Sequence, residues 1–362
     1  MNITESELFP MNIQAMVDML SEAYTALIRT EAPLRSFPSV MLWGPPGVGK
    51  SQGVRALAER IRENTGKECV VTDVRLLLFN PVDLRGIPTA NEDKTLAVWL
   101  KPKIFQMDES ADTVNILFLD EISAAPPSVQ AAAYQITLDR TVGEHRLPEN
   151  CIVIAAGNRI TDKSVAYHMP KALANRLCHI EIKGDYDAWH RWAVGKDIHP
   201  FVTGYLEYNP VALLRFEPTA GSLAFPTPRS WEMVSNILNT VSEDVDKIYP
   251  MLVGCIGFAV ANNFKTWTQL YRAMPSMEDI FLGDRAETPR SEELQIALRS
   301  VMVRYARRHP QEIKLDYSID YACRLPWSFR VKLLRDYMQI PELIPMLKRN
   351  SVYQTAKENG QL

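Results

Sequence analysis

The sequence predicts an α/β fold, a parallel sheet of five strands followed by an all-helical region, and three observations predict it. Five apolar runs, at residues 40–43, 68–74, 115–119, 151–157 and 177–182, alternate with stretches of helical pattern, as strands joined by crossover helices do. The first run leads straight into a glycine-rich loop and then a helix-patterned segment, 52–64. Beyond residue 226 the pattern is helical throughout, with Pro275, Pro289, Pro310 and Pro341 punctuating it.

Composition narrows the class. With 362 residues, 46% of them hydrophobic, the chain is long enough for more than one packed unit. A formal net charge of −3 does not suit a protein that coats nucleic acid, which needs a clustered positive surface. The five cysteines (Cys69, Cys151, Cys178, Cys255, Cys323) sit at no zinc or redox spacing, so a reducing compartment and mostly buried thiols are expected. The six histidines show no metal-ligand or triad spacing, and no internal repeat or low-complexity tract is present. Residues 1–10 lack a basic stretch followed by an apolar one, which points to the cytoplasm. The run 248–261 is shorter than the roughly 20 residues of a membrane helix, so it reads as a buried helix and no membrane span is expected.

In chain order, Met16, Met19, Leu20, Tyr24 and Leu27 put an amphipathic helix at 12–29, with Pro33 and Pro38 marking a linker. Met41-Leu-Trp-Gly-Pro-Pro-Gly-Val-Gly-Lys-Ser51 then carries the phosphate-loop pattern Gly-x-x-x-x-Gly-Lys-Ser. Glycines there let backbone N–H groups converge on a phosphate chain, and the helix that follows points its positive dipole end at the same charge. Gly44, Pro45, Pro46, Gly47, Val48, Gly49, Lys50, Ser51 and Gln52 are therefore the expected nucleotide contacts, with Lys50 on the β- and γ-phosphates and Ser51 on Mg²⁺. The helix should end near Gly66, and 68–74 reads as a buried strand. Residues 80–100 look like an inserted hairpin with a polar turn at 91–94.

The strand Asn115-Ile-Leu-Phe-Leu-Asp120-Glu121 ends in two carboxylates. Opposite a phosphate loop, Asp120 would complete the Mg²⁺ shell and Glu121 would polarise the attacking water. A helix follows through Gln130–Tyr134, then a short hairpin over 140–148 turning at Gly143, then a strand ending in Asn158. The Asn158 amide is suited to the γ-phosphate or the water beside Glu121, and a turn cap is its plainer role. Residues 170–176 read as a helix ending in Arg176, either a surface charge or a finger for a neighbouring subunit.

Taken together, Gly44-Pro-Pro-Gly-Val-Gly-Lys-Ser51, Leu117-Phe-Leu-Asp-Glu121, Gly157-Asn158-Arg159, Met169-Pro-Lys-Ala-Leu-Ala-Asn-Arg176 and Thr227-Pro-Arg229-Ser-Trp231 resemble the AAA+ ATPases, and among them the MoxR family. The resemblance spans most of residues 36–235. It implies sensor 1 at Asn158, the arginine finger at Arg176 and the sensor 2 arginine at Arg229, with ATP and Mg²⁺ bound. It also implies the following division: an N-terminal helix and linker at 1–37, an α/β nucleotide-binding core at 38–183, a presensor 2 helical insert or linker at 184–226, and a helical lid with a C-terminal extension at 227–362. Trp189 and Trp192 are spaced to share one helix face in that insert, and the hairpins at 80–100 and 140–148 stand at the places of the helix-2 insert and presensor 1 hairpin. A homo-oligomeric ring, usually hexameric, is implied, acting on a protein client with a von Willebrand factor A domain partner. That domain is not in this chain, since Asp108-Glu-Ser-Ala-Asp112 fails the pattern Asp-x-Ser-x-Ser at its last position.

Two other functions compete. A nucleic-acid-translocating motor is disfavoured by the acidic balance, and a nucleotide-gated scaffold by the presence of both Asp120 and Glu121. Arg299, Arg304, Arg307 and Arg308 could touch nucleic acid or an acidic partner, but read first as a solvated helix face, and Thr227 reads as an N-cap that sets Arg229 on the first turn of a helix.

Overall fold

The structure is a computed structural model, and it describes residues 8–159, 169, 174–215, 223–283 and 285–362. The chain divides into two compact units, Met1–Gly184 and Asp185–Leu362.

The first unit is built on a six-stranded sheet, all of whose pairings are parallel. Its strands are β1 (Pro10–Met11), β2 (Val40–Trp43), β3 (Glu68–Arg75), β6 (Thr113–Asp120), β9 (Cys151–Gly157) and β10 (Cys178–Ile182), in the order β1-β10-β2-β9-β6-β3. The five expected strands are present. The sixth, β1, corrects the five-stranded expectation; it is two residues long and pairs Pro10 with Glu181 and Met11 with Ile182. All seven residues of β9 and seven of the eight in β6 are buried, so each Ile, Leu or Val there contributes about 1.5–3 kcal/mol. β3 was expected to be buried but has only Val74 inside, because it forms the sheet's edge with one neighbour rather than two.

Helix α1 (Ile13–Arg29) starts where the Asn12 side chain accepts the Ala15 N–H at 2.8 Å, and it buries Met16, Val17, Leu20 and Tyr24. It packs on α2 (Lys50–Thr65), which stops at the left-handed cap Gly66, where the expected boundary lay. The insert contains a helix absent from the sequence reading, α3 (Pro81–Arg85), whose first turn is closed by a capping box of Asn80 and Asp83. After it come the antiparallel strands β4 (Ile87–Ala90) and β5 (Ala97–Leu100). Helix α4 (Pro127–Asp139) leads into the second hairpin, β7 (Thr141–Val142) and β8 (His145–Arg146), which turns through Gly143 and Glu144. The two hairpins touch: the ring nitrogen Nε2 of His145 lies 2.7 Å from the Trp99 carbonyl oxygen.

The second unit is helical among its described residues. Trp189 is buried and Trp192 partly so, both in the core formed by helices Tyr186–Gly195, Pro200–Tyr208, Pro228–Thr240, Val245–Ile256 and Phe258–Thr268. The expectation of one buried helix over the apolar run 248–261 fails at Gly257. Its φ of 79° and ψ of 157° separate two helices, and Phe258 is left exposed. A second core joins helices Met277–Leu282, Glu292–Arg308, Leu315–Cys323, Trp327–Tyr337 and Ser351–Glu358.

The arginine cluster is not one solvated face: Arg308 is exposed, Arg304 and Arg307 are partly buried, and Arg299 is buried. Arg299 is 4% exposed, its Nε donates to Asp336 Oδ2 at 2.9 Å, and its Nη2 donates to Glu207. Arg304 bonds Asn239 and Glu243, Arg307 donates to the Gly195 carbonyl, and Arg308 pairs with Asp197. The cysteine expectation also needs correction, because Cys151 alone is buried, Cys69, Cys178 and Cys255 are half-buried, and Cys323 is exposed.

Candidate nucleotide-binding site

Because β2, β6 and β9 are parallel and adjacent in the order β2-β9-β6, their carboxyl ends open onto one edge of the sheet, where ligands of such folds sit. The loop at residues 44–49 leaves β2 there, Asp120 closes β6, and Asn158 follows β9. Gly49, at φ 101°, is the N-cap of α2 in a conformation an L side chain rarely adopts. Gly44 runs so close to β10 that an added Cβ would lie 2.6 Å from the Ile182 carbonyl oxygen. Both glycines serve a tight turn that aims the start of α2 at the edge.

Four expected residues meet on this edge. Lys50, 9% exposed, donates from Nζ to the carbonyl oxygens of Gly44 (2.6 Å) and Pro45 (3.1 Å) and to Asn158 Oδ1 (2.9 Å). The Ser51 hydroxyl donates to Asp120 Oδ2 at 2.9 Å, across 69 residues of sequence. A hydroxyl beside a carboxylate is an oxygen donor set suited to a hard cation, so Ser51 and Asp120 fit Mg²⁺ with its remaining positions left to phosphate and water. Asp120 Oδ1 accepts the N–H of Glu121 at 2.9 Å. Glu121 itself is exposed and has φ 59°, a left-handed conformation that costs a non-glycine residue about 1–2 kcal/mol. Strain of this kind persists where the surroundings over-determine it, and here they do. The Ile122 N–H donates to the Ala156 carbonyl, and the Glu121 carbonyl accepts from Ala124 and Ala125.

Ser123 is a supporting residue that sequence reasoning missed. It is buried, and its Oγ accepts the Asn158 N–H at 2.9 Å, which fixes the amide between β9 and the turn after β6. A serine two residues past an Asp-Glu pair carries no signal until β6 and β9 are known to be neighbours. Arg159 is engaged in an ion pair with Glu181, a β10 residue only 2% exposed. On the far side of the loop's strand, Trp43 Nε1 donates to His179 Nδ1 at 2.8 Å, so the His179 proton lies on Nε2, 2.7 Å from the Ala174 carbonyl.

Arg176 is not at this edge. β10 and β2 run parallel with Cys178 opposite Val40, so Arg176, two residues before β10, lies level with the start of β2. The loop begins at the other end of that strand, roughly 15–20 Å away at about 3.3 Å per residue. Arg176 is exposed; most of the helix expected at 170–176 lies outside the described residues. Arg229 belongs to the second unit, in the first turn of helix Pro228–Thr240. Thr227 caps that helix by accepting the Ser230 N–H at 3.0 Å, with Pro228 at its first position.

Residues 39–179 match the family model of the ATPase family associated with various cellular activities (AAA). That stretch has the P-loop fold of the AAA+ type. The match covers every residue gathered at the carboxyl edge, and Arg176 as well. No curated protein matches the chain. Solved structures similar to it include a candidate ATPase from Cytophaga hutchinsonii, 16% identical with 88% of each chain covered and a TM-score of 0.31. A point mutant of RuvB from Thermotoga maritima is 14% identical over 87% of this chain and 77% of that one, with a TM-score of 0.36. PCH-2 of C. elegans is 13% identical over 83% and 68%, with a TM-score of 0.33. Among the described residues, no helix is long and apolar enough to cross a membrane.

Proposed function

We propose that the chain hydrolyses ATP at sites shared between neighbouring subunits of a ring, and that it is a MoxR-type machine that remodels a protein client. The observation that carries the reading is the separation within one sheet. Lys50, Ser51, Asp120 and Asn158 share the carboxyl edge, while Arg176 stands at the amino edge, out of reach of its own loop. An arginine so placed serves a nucleotide held by another copy, and a head-to-tail contact of this kind closes into a ring.

The residues divide the work as follows. Gly44, Pro45, Pro46, Gly47, Val48, Gly49 and Gln52 cradle the phosphate chain with the start of α2, and Lys50 exchanges its carbonyl partners for β- and γ-phosphate oxygens. Mg²⁺, when held by Ser51 and Asp120, supplies neutralisation of the charge on those oxygens. Glu121 takes the proton of the attacking water, Asn158 orients that water or the γ-phosphate, and Arg176 of the next subunit stabilises the charge that spreads over the transferred group. Arg229, at a capped helix start, is the sensor 2 candidate on the helical unit, from the same subunit or a neighbour. The cytoplasm and a client presented by a von Willebrand factor A domain partner complete the proposal, resting on the motif resemblance.

The test is complementation. Arg176→Ala and Lys50→Ala chains should each be inactive alone, and mixing them should restore part of the ATP turnover. If mixed rings form without recovery, the site lies within one subunit and the reading fails.

A further inference from the structure

His179 has no part in the catalytic assignment, yet both of its ring nitrogens are committed. Nδ1 accepts the Trp43 Nε1–H at 2.8 Å, with the two rings 17° from parallel and their centroids 6.0 Å apart. An indole N–H can only donate, so Nδ1 is the bare nitrogen and the proton sits on Nε2. Nε2 lies 2.7 Å from the Ala174 carbonyl oxygen and donates to it. The two partners stand toward opposite edges of the sheet. Trp43 is the last residue of β2, level with Glu181 and directly before Gly44 of the phosphate loop. Ala174 lies before the start of β10, beside Arg176 at the amino edge. The half-buried imidazole, level with Met41 in mid-strand, joins one to the other.

Ala174 also opens the turn that holds Arg176. The Leu177 N–H donates to the Ala174 carbonyl at 3.3 Å, which puts Asn175 and Arg176 at the two central positions of a four-residue turn, both exposed. The far end of this turn is well anchored, because Leu177 is buried and the Cys178 N–H donates to the Ser39 carbonyl at 2.9 Å. Its near end depends on the Ala174 carbonyl. Of the two bonds that oxygen accepts, the one from the imidazole is the shorter and the stronger. A long arginine side chain is delivered accurately only when the backbone beneath it is fixed, so the side chain that fixes Ala174 bears on where the guanidinium arrives.

We propose that His179 is a positioning residue for Arg176. It fixes the turn that presents the guanidinium, and Trp43 holds the imidazole in the tautomer that can do so. The inference rests on the intersubunit ATPase reading, from which the role of Arg176 is taken. Within that reading His179 serves the site of a neighbouring copy, although Trp43 adjoins the loop of its own chain.

The experiment compares His179→Asn and His179→Gln with the parent chain. An asparagine amide reaches only to the place of Nδ1, where it can still accept from Trp43, whereas a glutamine amide reaches the place of Nε2 and can donate to Ala174. The kcat of His179→Asn should fall about tenfold or more, the scale of a small misplacement of a catalytic group, with ATP affinity within about twofold of the parent. His179→Gln should recover most of that kcat. Mixing His179→Asn with Lys50→Ala should raise turnover above either alone, because the intact Arg176 of the second chain serves the intact loop of the first. Parent-like kcat in His179→Asn overturns the inference, and so does an equal loss in His179→Gln. A loss that Lys50→Ala chains do not rescue, in mixed rings where they do rescue Arg176→Ala, puts the effect on the chain's own loop and also overturns it. Trp43→Phe leaves the imidazole in place but frees its tautomer, and should lower kcat about threefold. It decides the matter should His179→Asn fail to fold, since a parent-like kcat there overturns the inference. Failure of Arg176→Ala and Lys50→Ala chains to complement each other sinks the intersubunit reading instead.

Discussion

Arg299 in the helical unit and Arg140 in the first unit are both drawn away from solvent, yet they are held in opposite ways. Arg299 is saturated by carboxylates: Asp336 and Glu207 flank it, Lys332 adds a second cation on Glu207 at 3.0 Å, and His190 Nε2 lies 3.1 Å from Asp336. Burial disfavours its charge, but the two carboxylates more than offset that and hold its pKa above the usual arginine value. Asp336 is held below the usual carboxylate range despite its own burial, by Arg299 and His190. Arg140 has carbonyl oxygens in place of carboxylates, and its pKa moves the other way. A closed ion network fastens helices together, whereas a cation satisfied by neutral oxygens keeps its charge available. The first arrangement ties helices through charge, and the second ties the end of α4 to the main chain of neighbouring segments.

The largest effect expected of this contrast is on stability. Arg299→Met strands two buried carboxylates and should lower the unfolding free energy of the helical unit by about 3–5 kcal/mol, read by urea denaturation. Arg140→Met removes a cation that had no carboxylate to leave behind, so its cost should be about 1–2 kcal/mol, the value of its carbonyl bonds. Equal losses would erase the distinction between the two arginines.

A smaller effect concerns pH. Burial holds the pKa of His199 below its ordinary value of about 6.5, with the Glu243 hydrogen bond opposing and Arg304 and Arg308 adding to the depression. The neutral ring is therefore the folded form. Below pH about 6.5 the unfolded chain takes up a proton that the folded one resists, and stability falls with acidification through the lowered folded pKa. Glu243 is also held low, first by its bond to His199, and so loses its contribution further into the acid range. His199→Gln should flatten the stability profile between pH 7 and 5, and an unchanged slope would remove His199 as its source.

The parts legible in the sequence were those whose signals are local. The loop at 44–51, the end of α2 at Gly66, the apolar strands and the Thr227 cap are each written within a few adjacent residues. What was misread depends on partners distant in sequence. Arg299 looked solvated because the carboxylates that bury it lie 92 and 37 residues away. Strand β3 looked interior because alternation cannot reveal that no strand lies beyond it. β1 is two residues long and exists through its register with β10, and Ser123 matters through its bond to Asn158, 35 residues on. The break at Gly257 had a local signal, but the apolar run around it masked that glycine.

The most direct test of the catalytic reading is ATP binding and phosphate release measured side by side for Glu121→Gln. The side chain is exposed and its amide replacement is nearly isosteric, so folding and ATP affinity should be retained. Turnover should fall about 100-fold or more if Glu121 activates the water. Phosphate release at the parent rate, with ATP bound as before, would contradict the account.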